Sequence, residues 1–188
     1  MPPTKRELWL LNLYRNSELQ GALLMGRLAR SVSRPEVLLG ATRHCATEAL
    51  HAALLTELIN QLGGVVDLST DTIQKHYSQV GGIPKELVDV LVLSEVLETR
   101  VLISYREHLQ RSDVLPQVRK TLERIIRDEE AHSGQQGWTE QLLAQMPESQ
   151  VAAAWEKWRN VDQKVAENLQ ARLADDFAEE RAHHEYGR

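Results

Sequence analysis

The chain has 188 residues, 42% of them hydrophobic and 26% charged, which is ordinary for a globular protein and enough for one sizeable core. Its formal charge of −5 argues against a nucleic-acid partner, since backbone phosphates select a basic face. No run of about 18 apolar residues suggests a membrane span, Met1-Pro2-Pro3-Thr4 opens no signal-peptide core, and the single cysteine, Cys45, excludes an internal disulfide and a four-cysteine iron site; the expectation is a cytoplasmic protein.

Glycine and proline are few and fall between long periodic segments, so the chain reads as all-α. Thr4 and Glu7 form a T-x-x-E capping box that opens the first helix, which carries Leu10, Tyr14, Glu18, Gly21, Met25 and Leu28 at helical spacing and ends near Ser31. Pro35 suits the first turn of a second helix, with His44, Cys45, Glu48, His51, Leu55 and Leu58 on its stripe and Gly63-Gly64 as its stop. About twenty residues without a long helical pattern follow, to Pro84. They hold turn chemistry at Asp67-Leu68-Ser69-Thr70 and Gly81-Gly82, with a short helix over 71–79. A connection that long suits a crossover between parallel helices rather than an antiparallel hairpin.

The third long helix, 84–110, places Leu87, Leu91, Glu95, Glu98, Leu102, Tyr105 and Leu109 on one broad face. A short turn ending at Pro116 returns the chain into the fourth, which carries Val118, Leu122, Ile125, Glu129 and His132 inward and should reach about Gln145. A fifth helix, within 147–182, has Val151, Ala154, Trp155, Trp158, Val161 and Val165 at helical spacing, with the two tryptophans as packing anchors. Residues 183–188 are a polar tail. The expected organisation is one domain over 1–188: a four-helix core over 1–146, a long crossover between its second and third helices, and an additional C-terminal helix.

Two pairs, Glu48-Ala49-Leu50-His51 and Glu129-Glu130-Ala131-His132, repeat a Glu-x-x-His spacing that sets a carboxylate and an imidazole on one helix face. A single such pair is a weak signal, because most sit on solvated faces. Here both fall inside apolar stripes, and each of the other two core helices adds a glutamate within its own stripe: Glu18 on the first, Glu98 or Glu95 on the third. This is the donor set of a carboxylate-bridged dinuclear metal site. Burying four carboxylates without cations would be costly or force protonation, whereas two divalent ions leave a roughly neutral cluster. Asp128 can reach across to His51, and His44, Tyr14 and Tyr105 are placed to support the cluster. Cys45 reads as a small apolar filler.

The chain resembles the ferritin-like superfamily of di-iron carboxylate proteins, in its rubrerythrin and bacterioferritin branch. The resemblance is carried by Arg127-Asp128-Glu129-Glu130-Ala131-His132 and by Glu18 with Gly21 and Leu28-Ala29, over about residues 7–145. It implies a ferritin-like four-helix bundle with Glu18, Glu48, His51, Glu129 and His132 as iron ligands. On the third helix Glu98 fits the family spacing to Tyr105, and Glu95 is an additional or alternative ligand. It also implies a pair of iron ions reacting with hydrogen peroxide or dioxygen, with manganese able to use the same ligands. An external electron donor is expected in the absence of rubredoxin cysteines, and a homo-oligomer, a dimer, is the expected assembly. Three functions stay open: a peroxide- or dioxygen-reducing oxidoreductase, an oxygenase acting on an organic substrate, and an iron-storage protein with ferroxidase activity.

Overall fold

The computed structural model describes residues 2–132 and 137–177, the side chains of residues 131 and 132 excepted. Among the described residues there are seven helices and no strand: α1 (Lys5–Ser31), α2 (Pro35–Gln61), α3 (Ile73–Gly81), α4 (Leu87–Leu109), α5 (Pro116–His132), α6 (Trp138–Leu143) and α7 (Glu148–Asp176). None of these helices is long and apolar enough to cross a membrane.

The Thr4 hydroxyl accepts from the Glu7 amide at 3.0 Å and starts α1. The reciprocal half of the expected capping box is absent. The Glu7 carboxylate is buried and takes His108 Nε2 at 3.1 and 3.2 Å, with Arg111 Nη1 at 3.4 Å. Two cationic or polar donors inside the fold offer more than one exposed amide does. α2 begins at Pro35 and ends in a Schellman arrangement: Gly63 has φ +74°, its amide bonds Asn60 O, and the Gly64 amide bonds Ile59 O. Gly64 must also stay small, because a Cβ there would lie 2.6 Å from Leu8 of α1.

Close contacts fix the helix directions. α1 and α2 form an antiparallel pair, with Gly64 against Leu8, Gly21 against Glu48 and Gly26 against Cys45. α4 runs antiparallel to α1, through Glu7 with His108 at one end and Glu18 with Tyr105 further along. α5 and α6 together run antiparallel to α2: Glu129 meets His51, Trp138 covers Gly40, and Gln145 just beyond α6 bonds Arg34. α2 and α4 are therefore parallel, joined by the crossover over residues 62–86. In it the Asp67 carboxylate accepts from the Ser69 amide and hydroxyl and from Thr70, and α3 lies between.

Two expected boundaries need correction. The fourth long helix does not run unbroken to Gln145. α5 ends at His132, Gly137 is extended with ψ 143°, and α6 restarts at Trp138. Glycine costs about 1 kcal/mol relative to alanine inside a helix, and the break frees Thr139 to bond Glu95. α7 stops at Asp176, and the expected tail, 183–188, lies outside the described residues.

One core cluster, including Leu11, Leu55, Leu58, Tyr105, Leu122 and Ile125, fills the space among α1, α2, α4 and α5. A second joins α3, α4, α6 and α7 around Trp158, which is wholly buried. α7 is thus part of the fold rather than an unattached arm. It is also locked by polar contacts: Arg100 grips Asp162 through two nitrogens at 2.7 and 2.6 Å, Tyr77 bonds the same carboxylate, and Trp158 Nε1 donates to Asp89 at 2.7 Å. Trp155, expected as a second anchor, packs half-buried against the same cluster and carries Arg159 over its ring.

Candidate metal centre

Each helix that lines the first core cluster continues its buried stripe into a charged residue four positions away. Glu18 follows Tyr14, His51 precedes Leu55, Glu98 precedes Leu102, and Glu129 follows Ile125. Four residues are just over one helical turn, so the packing that buries the apolar member also turns its partner inward. Glu18, His51 and Glu129 are buried, and Glu48 and Glu98 are about nine-tenths covered.

At the centre His51 Nδ1 stands 2.8 Å from Glu129 Oε1 and 3.3 Å from Glu18 Oε2. One donor atom from each of Glu18, His51 and Glu129 lies within 4.8 Å of the others. Glu18 Oε2 and both His51 ring nitrogens are buried without an aligned hydrogen bond. Such atoms are costly unless something fills the space they face. The other His51 nitrogen, Nε2, looks toward Asp128 Oδ2 at 3.6 Å, and the second oxygen of Glu18 accepts from the Tyr105 hydroxyl. The imidazole and the carboxylate are thus each approached from behind, leaving Nδ1 and Oε2 facing inward.

Glu48 and Glu98 stand beside this group, linked through His44. Its Nε2 lies 2.9 Å from Glu48 Oε1 and 3.4 Å from Glu98 Oε1. Glu18, Glu48, Glu98, Glu129 and His44 all line one small cavity of about 40 Å³, together with Ser17 and Gly21. Gly21 is what admits Glu48, since a Cβ at that position would lie 2.4 Å from Glu48 Oε2.

The electrostatics are those of crowded carboxylates. Burial, and then the neighbouring Glu18 and Glu129, push the Glu48 carboxyl well above its ordinary range. Burial raises Glu98 to about 8 despite the opposing pull of His44. Burial alone would lower His51, but Glu129 and Glu18 overcome it and raise the imidazole to about 10. The donors are carboxylate oxygens and imidazole nitrogen, a set suited to iron, manganese or zinc. The buried Glu18, His51 and Glu129 group can therefore hold a metal ion, and the inward-facing atoms without hydrogen-bond partners fit that occupant.

The remaining candidates separate by direction. Glu95 turns away and accepts from Thr139 of α6, so Glu98 rather than Glu95 reaches the cavity. Tyr105 touches Glu18, whereas Tyr14 lies one ring further out, edge-on to Tyr105 at 4.7 Å, with its hydroxyl toward Ser104 O at 3.4 Å. The His132 side chain lies outside the described residues. Cys45 is half-buried against Gly26, away from the cluster.

Three contributors carry no signal in residue spacing. Gly21 appears there only as one more position of a stripe. Ser17 and Gln74 line the cavity with no distinguishing pattern in the sequence. The ion-pair group of buried Glu7 and His108 with half-buried Arg111 was not legible, since the sequence offered Glu7 only as part of a helix cap. No family model, curated protein or solved structure matches the chain.

Proposed function

We propose that the protein is a ferritin-like di-iron oxidoreductase that reacts with hydrogen peroxide or dioxygen. Its dinuclear centre would be held by Glu18, Glu48, His51, Glu98, Glu129 and His132. The observation that carries this reading is the inward convergence of His51 Nδ1, Glu18 Oε2 and Glu129 Oε1 in a buried place, with Glu48 and Glu98 on the wall of a small cavity that Glu18 and Glu129 also line. Support also comes from the parallel α2 and α4 joined by a long crossover, the connectivity of a ferritin-like bundle. Four carboxylates against two divalent ions make a nearly neutral interior. That balance explains how Glu48 and Glu98 can both ionise where burial otherwise holds their protons.

Bound iron supplies the one-electron steps that reduce peroxide or dioxygen, and manganese takes the same donors. The protein's own groups do the positioning. Asp128, 3.6 Å from His51 Nε2, is placed to orient the imidazole through a small approach, which would leave Nδ1 facing inward. The Tyr105 hydroxyl fixes one oxygen of Glu18 and leaves the other for the ion. His44 stands in reach of both Glu48 and Glu98 and so links the two carboxyls that would join the centre. No group of four cysteines exists in the chain, so electrons come from a separate donor.

Metal analysis of protein from iron-supplemented cells tests the reading. About two ions per chain are expected, and adding peroxide to the ferrous protein should produce a near-ultraviolet charge-transfer band. Glu48→Ala and His132→Ala should each lower bound iron by about half or more with the helical circular-dichroism signal retained. Full occupancy in both variants would show the ligand assignment to be wrong. Uptake of iron far beyond that ratio into a very large particle would favour storage instead.

A further inference from the structure

Beside the centre, between the C-terminal half of α1, the crossover with α3, and α4, runs an open groove of about 780 Å³. Leu28, Val90 and Leu93 run along its length and give it an apolar floor, with serine, threonine and glutamine side chains between them and at the rim. Leu68 and Ile83 at its edge are 79% and 78% exposed, bulky apolar groups left facing water. The groove is not separate from the centre. Leu24, Met25, Gln74, Ser94 and Leu97 line both it and the small cavity that holds Glu48 and Glu98. One layer of side chains therefore stands between the two spaces.

The charges on the groove are few and do not cancel. Lys75 Nζ is paired with Asp71 at 2.6 Å, and Arg172 approaches the same carboxylate at 3.4 Å. Arg27 lines the groove with no carboxylate partner among the described residues. It sits nine positions beyond Glu18 on α1, about 14 Å along the helix axis. A long apolar trough with one unneutralised cation at a distance from the reactive centre is complementary to an amphipathic acid.

We infer that this groove binds the organic substrate of the centre, an aliphatic carboxylic acid. Its carboxylate pairs with Arg27, and its chain lies over Met25 and Leu97 toward Glu48 and Glu98. The inference rests on the oxidative reading of the centre and narrows it, since peroxide alone needs no such groove.

The test is calorimetric titration of the metal-free protein, which separates the groove from the centre. Dodecanoate should bind saturably at one site per chain, and hexanoate and dodecyltrimethylammonium each at least about tenfold more weakly. Arg27→Glu should weaken dodecanoate by about tenfold and improve the ammonium probe. Leu97→Trp, which fills the inner end, should abolish binding of the long acid, while Leu28→Trp tests the outer wall should the first variant lose its helical signal. Equal affinity for the acid and the ammonium, or no effect of either Arg27→Glu or the fitted tryptophan, overturns the proposal. So does a dimer by sedimentation that Leu68→Asp with Ile83→Asp dissociates and dodecanoate does not, because the groove is then a subunit interface. Dodecanoate binding in a protein that takes up no metal leaves the groove standing and removes the oxidative centre; metal uptake without dodecanoate binding does the reverse.

Discussion

A centre of this kind is decided by which atoms are prevented from satisfying one another. His51 Nδ1 and Glu18 Oε2 are buried and close, yet neither is hydrogen-bonded, while Tyr105 engages the other oxygen of Glu18 and Asp128 stands 3.6 Å from the other nitrogen of His51. Gly21 belongs to this device although it carries no donor. Gly21→Ala would add a Cβ 2.4 Å from Glu48 Oε2, so the carboxylate must swing aside. The end of a glutamate is flexible, and alanine favours a helix by up to about 1 kcal/mol over glycine. The metal-free variant should therefore melt at the same temperature as the parent or higher, while its metal affinity falls. A thermal scan and a competitive metal titration on the same samples read both effects. Unchanged affinity would mean that Glu48 is not held where Gly21 leaves room for it.

The elements show where reading spacing succeeds and where it stops. The positions of Glu18, Glu48, His51 and Glu129 were legible because each lies about one turn from an apolar residue whose burial was itself predictable, and helix geometry then fixes its direction. Glu95 and Glu98 defeat that logic. Three residues apart, they differ by only about 60° around α4, and both fall on its broad apolar face. What separates them is Thr139, delivered from far along the chain by α6, which opens at Trp138 after the non-helical Gly137. The groove was equally hidden, since its walls come from α1, the crossover, α3 and α4 at once. α7 was legible as an amphipathic helix, but its partner was not. Trp158 now identifies that partner as α3 and α4: it is wholly buried, packs beneath Gly81 and donates to Asp89. Trp158→Ala should cost about 3–5 kcal/mol of stability, measured by urea unfolding. A loss below about 1 kcal/mol would mean that α7 does not depend on this anchor.

At the scale of the whole molecule, crowding carboxylates around one cavity makes folding itself depend on pH. An unfolded glutamate loses its proton near its ordinary value of 4.5, whereas Glu98 in the fold holds it to about 8 and Glu48 is also raised. Between those values the folded chain binds more protons than the unfolded one, so stability falls as pH rises. His51 acts in the same sense: raised from 6.5 to about 10, its contribution is fully present below 6.5 and is lost as pH climbs through 10. Glu95, raised by burial, adds to them, and His76, whose burial lowers it, works in the opposite sense, one group against four. Asp67 and Asp71 are held low by their hydrogen bonds, so their stabilisation is already complete above the ordinary carboxylate range and adds no slope here. The metal-free protein should thus lose melting temperature steadily from about pH 5 to about pH 8. On the proposed ligand set, divalent cations would act on the same protons, replacing them on Glu48 and Glu98 and neutralising the charge that remains, and metal binding that releases protons strengthens as pH rises. Melting curves across that range, with chelator and with ferrous ion under anaerobic conditions, should therefore diverge, the gap widening toward the alkaline end. Parallel curves would mean that the buried carboxylates titrate independently of any ion, and that they are spectators of metal binding rather than its ligands.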